Sequence, residues 1–201
     1  MLVRTFGSAV FGIDSTTITI EVNIANGVNF MLVGLPDKAV QESHQRIKAA
    51  LKNNKLHYPG KEITVNMAPA DIRKEGSTFD LAIAIGILAA SEQIAPSKLE
   101  EYMLLGELSL DGTLQTIKGV LPIVMQANKD GFKGILLPKQ NESEAAIVEG
   151  IAVYGMENMQ EVNDFLNGTK VFAPATFNIE EEFHRQLQEN EVDFRDVKGQ
   201  S

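Results

Sequence analysis

Cysteine is absent from the 201 residues. That excludes disulfide staples, thiolate metal sites and cysteine nucleophiles, and it leaves the redox compartment open. Tryptophan is absent too, and aromatics make up only 6%. A broad base-stacking platform therefore has little to be made from. Positive charge is scarce: 18 Lys and Arg stand against 27 Asp and Glu, a formal charge of −9. Tight nucleic-acid binding needs clustered Lys and Arg, so this balance argues against such a role for the chain as a whole while leaving room for a local basic patch. Long apolar runs are also missing. The longest, residues 81–90, is far short of the ~20 residues that cross a bilayer. No charged-then-apolar leader precedes the first strand pattern. The expectation is a soluble, cytoplasmic protein with no membrane partner. His44, His57 and His184 are far apart and lack metal-ligand spacing. His44 and His57 read as solvated side chains. No G-x-x-x-x-G-K-S/T loop and no G-x-G-x-x-G after a strand occurs in the chain.

What is present is an ordinary globular composition, 44% hydrophobic and 22% charged, in a chain long enough to bury a large core. Residues 2–10 and 17–24 read as strands. Ile18, Ile20, Val22 and Ile24 alternate with Thr17, Thr19, Glu21 and Asn23. Asn26-Gly27 predicts a tight hairpin into a third strand, residues 30–33, apolar enough to be central. Asp37 is placed to cap a helix over 38–53, with Ala39, Val40, Ile47, Ala50 and Leu51 inward and Lys38, Glu42, Arg46, Lys48 and Lys52 toward water. A strand over 62–67 follows. The segment 79–91 is apolar all round, which predicts a helix buried on every side. Gly86 within it costs about 1 kcal/mol of helix propensity, so a close backbone contact is expected there. Beyond it come a strand at 102–105, a hairpin turning at Asp111-Gly112, and a helix over 119–130 with Val120, Ile123, Val124 and Ala127 inward. A strand at 134–138, a short helix at 141–148, a strand at 151–155 and a helix at 158–166 complete the pattern. Early strands followed by alternating helices and strands predict an α/β (α+β) fold with a mixed sheet and helices packed on it. The compact domain is expected at 1–168, a linker with a polar helix at 169–192, and the opening of a further module at 193–201.

The loop 69–80 joins a charged, glycine-bearing stretch to the start of the apolar helix. A hydroxyl at a helix N-terminus after a glycine can be a nucleophile whose oxyanion is held by nearby N–H groups. The simpler reading is that Ser77 or Thr78 caps the helix, with Asp80 in its first turn. A nucleophile also needs a base, and none is identified nearby in the sequence.

Val33-Gly34-Leu35-Pro36-Asp37, the run Ile63-Thr64-Val65-Asn66-Met67-Ala68-Pro69-Ala70-Asp71-Ile72-Arg73-Lys74-Glu75-Gly76-Ser77, and Gly106-Glu107-Leu108-Ser109-Leu110-Asp111-Gly112 resemble the N-terminal region of the ComM/YifB family of magnesium-chelatase-like AAA+ ATPases. The resemblance covers residues 1–168. It implies a ribosomal protein S5 domain 2-like fold of the Lon-protease type. In Lon proteases a serine in the loop before the buried helix and a lysine in a later helix do the chemistry. By motif the serine position falls on Thr78 and the lysine position on Leu121, between Lys118 and Lys129. The lysine is missing there, which implies a degenerate site and no catalysis, cofactor or metal in this chain. Asp193-Phe194 and Asp196-Val197-Lys198-Gly199-Gln200 resemble the entry to the family's ATPase module, for which ATP and Mg are expected. The implied partners are that module, neighbouring subunits of a ring oligomer, and DNA for the full-length protein, which the family remodels by branch migration during uptake of transforming DNA. Arg73, Lys74, Glu75, Gly76, Ser77 and Asp80 form the candidate interaction loop. Arg46, Lys48, Lys52, Lys55 and Lys61 form the candidate basic surface. Two other readings are a residual Ser/Thr-Lys-type peptidase using Thr78 with Lys74 or Lys118, and a magnesium-chelatase subunit acting on porphyrin, for which nothing in the chain forms a site.

Overall fold

Period-2 alternation at the start of the chain produces two long strands, β1 (Leu2–Phe11) and β2 (Asp14–Ala25). They pair antiparallel, with Val3 opposite Val22 and Thr5 opposite Ile20. The computed structural model describes residues 1–177. In it Ile18, Ile20 and Val22 are wholly buried while Thr17, Thr19 and Glu21 stay partly accessible, as the alternation predicts.

β3 (Phe30–Val33) and β4 (Glu62–Ala68) complete a sheet of order β1-β2-β4-β3. β4 runs antiparallel to β2 and parallel to β3. The hairpin expected at Asn26-Gly27 therefore does not form, because β4 lies between the two strands. β3 is an edge strand rather than a central one, and its Met31 and Val33 face solvent. The ladder accounts for this. β4 offers β2 seven residues with Ile63, Val65 and Met67 buried on one face, whereas β3 is only four residues long. The crossover between the two parallel strands is α1 (Lys38–Asn53), whose N-terminus is capped by Asp37, its Oδ1 accepting from the Val40 N–H at 2.8 Å.

α2 (Asp80–Ala90) is buried along its whole length. It lies across β1 and β2 and against α1. Gly86 is what permits that approach: a Cβ there would lie 2.6 Å from Val22 Cγ2. Next to it Thr5 Oγ1 donates to the Ala82 carbonyl at 2.8 Å, so the buried hydroxyl is satisfied.

A 3-10 helix at Pro96–Glu101 leads into β5 (Tyr102–Leu104). The expected hairpin is present as β6 (Glu107–Leu108) and β7 (Leu114–Gln115), closed by Ser109 N–H to Thr113 carbonyl at 2.9 Å. α3 (Val120–Lys129) buries Val120, Ile123, Val124 and Ala127. Next come β8 (Gly134–Pro138), a short α4 (Glu142–Ala145), β9 (Ala152–Met156) and α5 (Met159–Asn167). β5, β8 and β9 form a parallel sheet of order β5-β8-β9. β8 is buried on both faces. Its Leu136 joins the core around α2, while Ile135 and Leu137 join a second core with α3.

Packing continues beyond residue 168. Phe172 lies against the first core, and the Ala175 N–H donates to the Val153 carbonyl at 2.7 Å. The polar helix expected in the linker, with Glu180–Glu182 and His184, and the module opening at 193–201 lie outside the described residues. No helix among the described residues is long and apolar enough to cross a membrane.

Candidate functional site

The loop from β4 to α2 is anchored from beneath by Lys74, while Arg73 and Glu75 stay exposed. Lys74, expected in an exposed interaction loop, is wholly buried, and its Nζ donates to the Pro69 carbonyl. Its backbone bridges the 34–37 turn: the Lys74 N–H donates to Leu35 at 3.1 Å, and the Asp37 N–H donates to Lys74 at 2.9 Å. Burial pushes the ammonium pKa down, and Asp71 opposes that shift. The lysine is drawn in because its methylene stem prefers apolar surroundings and a carbonyl lies within reach of its head.

Asp80 is likewise internal. Its Oδ2 lies 2.6 Å from Arg46 Nε and its Oδ1 2.9 Å from Arg46 Nη2, and Oδ2 also accepts the Leu108 N–H at 3.1 Å. The Arg46 guanidinium, expected to face water on α1, is turned inward instead and also donates to the Ala39 carbonyl at 2.9 Å. The side chains are 19% and 1% exposed. This fork ties α1, α2 and β6 together. Burial pushes the Asp80 carboxyl up, against the pull of Arg46 and the Leu108 N–H, and the bond to Asp80 pushes the Arg46 guanidinium up.

Neither hydroxyl caps α2. The N-cap residue is Phe79, without a side-chain cap bond. Ser77 Oγ donates to the Glu107 carboxylate on β6 instead. The Thr78 carbonyl accepts the Gly106 N–H at 3.0 Å, and the Leu81 N–H donates to Gly106 at 3.1 Å. Asp37 serves twice, capping α1 and accepting the Gly76 N–H through Oδ2 at 3.1 Å. Gly76 takes a left-handed φ of 80° that suits glycine there.

A cavity of about 340 Å³ opens over this loop. Arg73, Glu75, Ser77, Thr78, Glu107 and Lys118 line it, with the end of β1 as a wall. Arg73 Nε pairs with Glu75 Oε1 at 3.1 Å, both well exposed, a contact of small energetic weight. Leu121, in the first turn of α3, is 36% exposed and does not line the cavity. Lys118 does line it, three residues earlier. Glu107 is the site residue that sequence reasoning passed over. The signal is the Gly106-Glu107-Leu108 motif, which carries the turn and the family resemblance while its carboxylate is given no role.

Lys48, Lys52, Lys55 and Lys61 are exposed. Three of them, Lys48, Lys52 and Lys61, border a second cavity of about 630 Å³ with Phe30, His44 and Tyr58, and Lys55 stands apart from it. His44, expected to be solvated, is half-buried. Its ring stacks on Phe30 at 4.0 Å and 4°, because the edge strand brings Phe30 beside α1. Burial, then Lys48, holds its pKa below the usual imidazole value. His57 is exposed, as expected. Among the described residues no group of three or more His, Asp or Glu could hold a metal ion.

The profile described as subunit ChlI of Mg-chelatase matches residues 20–141. The chain belongs to the ChlI family. That span takes in the 69–80 loop, β6 and the start of α3, which line much of the first cavity, while the β1 wall lies before it. The competence protein ComM of Haemophilus influenzae is 41% identical over 196 residues, covering 97% of this chain and 38% of that protein. YifB of Escherichia coli is 42% identical over 161 residues, covering 80% of this chain and 32% of that protein. Within the ChlI family, one of AAA+ ATPase type, the chain is thus a ComM/YifB N-terminal region. It spans less than two fifths of the length of those two relatives. Lon protease 2 of Bacillus subtilis is 25% identical over 151 residues, 72% of this chain and 27% of that protein, in keeping with the Lon-like mixed α/β fold.

Proposed function

We propose that this ChlI-family domain is a non-catalytic N-terminal part of a magnesium-chelatase-like AAA+ ATPase, where it assists ring assembly or contacts substrate. On this reading the longer protein is cytoplasmic, binds ATP with Mg in its own ATPase module, and hydrolyses it to remodel DNA in the manner of a branch-migration helicase. The observation that carries the reading is the chemistry of the 340 Å³ cavity. A hydroxyl nucleophile needs a base to remove its proton. Ser77 donates to Glu107, and a carboxylate is a weak base for a hydroxyl. Leu121 supplies no amine where the resemblance expects one. The test is ATP hydrolysis by this chain beside a protein of the relatives' full length. Hydrolysis by the longer protein alone is expected, and turnover by the 201-residue chain above background would overturn the assignment.

A second reading is favoured by one observation: Lys118 shares a cavity with Thr78. An amine beside a hydroxyl is the composition of a Ser/Thr-Lys peptidase site. A fold carries no activity by itself, so the expected result is no cleavage of an unstructured peptide. Cleavage by the parent protein that is lost in Thr78→Ala would establish the peptidase instead.

A further inference from the structure

We propose that the groove between α1 and the Tyr58–Lys61 turn binds single-stranded nucleic acid, with Lys48, Lys52 and Lys61 on phosphates and an unpaired base against the rings of His44 and Tyr58. This inference rests on the substrate-contact reading above and gives it a surface.

Charge is the first observation. The chain carries a formal −9, yet this groove is lined by three lysines and two histidines and by no carboxylate. Among the described residues Lys48, Lys52 and Lys61 take part in no ion pair, although seven pairs form elsewhere. Lys48 and Lys52 stand one turn apart on α1, where like charges repel and an anion between them relieves the repulsion. A local concentration of cations on an acidic protein is an electrostatic footprint for a polyanion.

Rings are the second. Phe30 and His44 stack in parallel at 4.0 Å, and Tyr58 lies 5.7 Å from His44. Lys48 Nζ sits 5.8 Å from the Tyr58 ring centre. In a chain with 6% aromatics these rings are gathered beside the unpaired lysines. Burial pushes the Tyr58 phenol up to about 12 and lowers the His44 pKa, and both shifts favour the neutral ring. Neutral rings beside cations match a nucleotide unit, whose base stacks and whose phosphate pairs. The cavity, about 630 Å³, is large enough for such a unit. A paired base keeps its faces within the duplex, so an unpaired strand is the ligand that fits.

The experiment is fluorescence anisotropy on the whole 201-residue chain with a labelled oligothymidylate, a duplex of equal length, a thymidine mononucleotide and inorganic phosphate, across a salt series. The single strand is expected to bind more tightly than the duplex and to weaken with salt. Lys48→Ala and Lys52→Ala should each lower the slope of log K against log salt by about 0.7. Tyr58→Ala should weaken binding about ten-fold, and Tyr58→Phe should retain most of it. Lys129→Ala, on α3 outside the groove, should bind as the parent does. Circular dichroism and a thermal melt on each variant identify any that fails to fold, and Tyr58→Phe with the two lysine variants then decides. No strand binding, equal binding of duplex, full competition by the mononucleotide or phosphate, or binding indifferent to all three groove positions would each overturn the proposal. Those outcomes leave the ATPase reading standing, because that reading is tested by hydrolysis and this one by binding without ATP.

Discussion

At the scale of single residues, the strongest constraint is the Arg46–Asp80 fork. A buried pair is costly to form but more costly to break, because the survivor is left as an uncompensated charge. Asp80→Asn is expected to lose roughly 3–5 kcal/mol in urea unfolding. The joint change Arg46→Met with Asp80→Leu should lose clearly less than the sum of the single changes. A pair of independent, additive losses would show that the fork does not couple the helices. His44 carries a pH dependence whose sign is determined. Its folded pKa lies below the unfolded value of about 6.5, through burial first and Lys48 second. The unfolded chain therefore takes up the proton first as pH falls. The contribution is fully present above pH ~6.5 and is lost as pH falls from there through the folded value. Urea midpoints should drop between pH 7.5 and 5.5, and His44→Phe should drop less. Equal drops would assign the effect to other groups. The sequence around His44 suggests a solvated ring because nothing local announces a stacking partner on a strand that lies before the helix in the chain.

At the scale of elements, α2 was the most legible part of the chain. Eleven residues without an exposed face can sit only in the middle of a core, and the glycine within them could be read as a contact point. Gly86→Ala separates two opposed effects. Alanine gains about 1 kcal/mol of helix propensity, but its methyl would meet Val22 Cγ2 at 2.6 Å. Overpacking of this kind costs about 1–3 kcal/mol. The expected outcome is a net loss of about 1 kcal/mol by thermal or urea unfolding, partly relieved when Val22→Ala is added. A stabilised Gly86→Ala would mean that the sheet yields. The α3 stripe was equally legible from its spacing. β3 was not. An apolar tetrapeptide looks the same at the edge or the centre of a sheet, and the arrival of β4 thirty residues later decides which.

At the scale of the molecule, the fold supplies two separated surfaces. One is a cavity over the 69–80 loop that keeps hydroxyls and lacks an amine at Leu121. The other is a groove of lysines and rings between α1 and the Tyr58–Lys61 turn. ATP hydrolysis tests the role proposed for the first, and strand binding tests the second. The sequence by itself determined the class of fold, the buried helix, the capped α1, the turn at Asp111-Gly112 and the family, because each of these is written in short-range spacing or in a contiguous motif. Only the tertiary structure decided that β4 would separate β2 from β3, that Lys74 and Arg46 would turn inward, and that Ser77 would meet Glu107 thirty positions away. The first depends on which strand offers the longer apolar ladder, and the others on which polar groups find partners. A charged loop residue looks the same in sequence whether a carbonyl waits beneath it or water does.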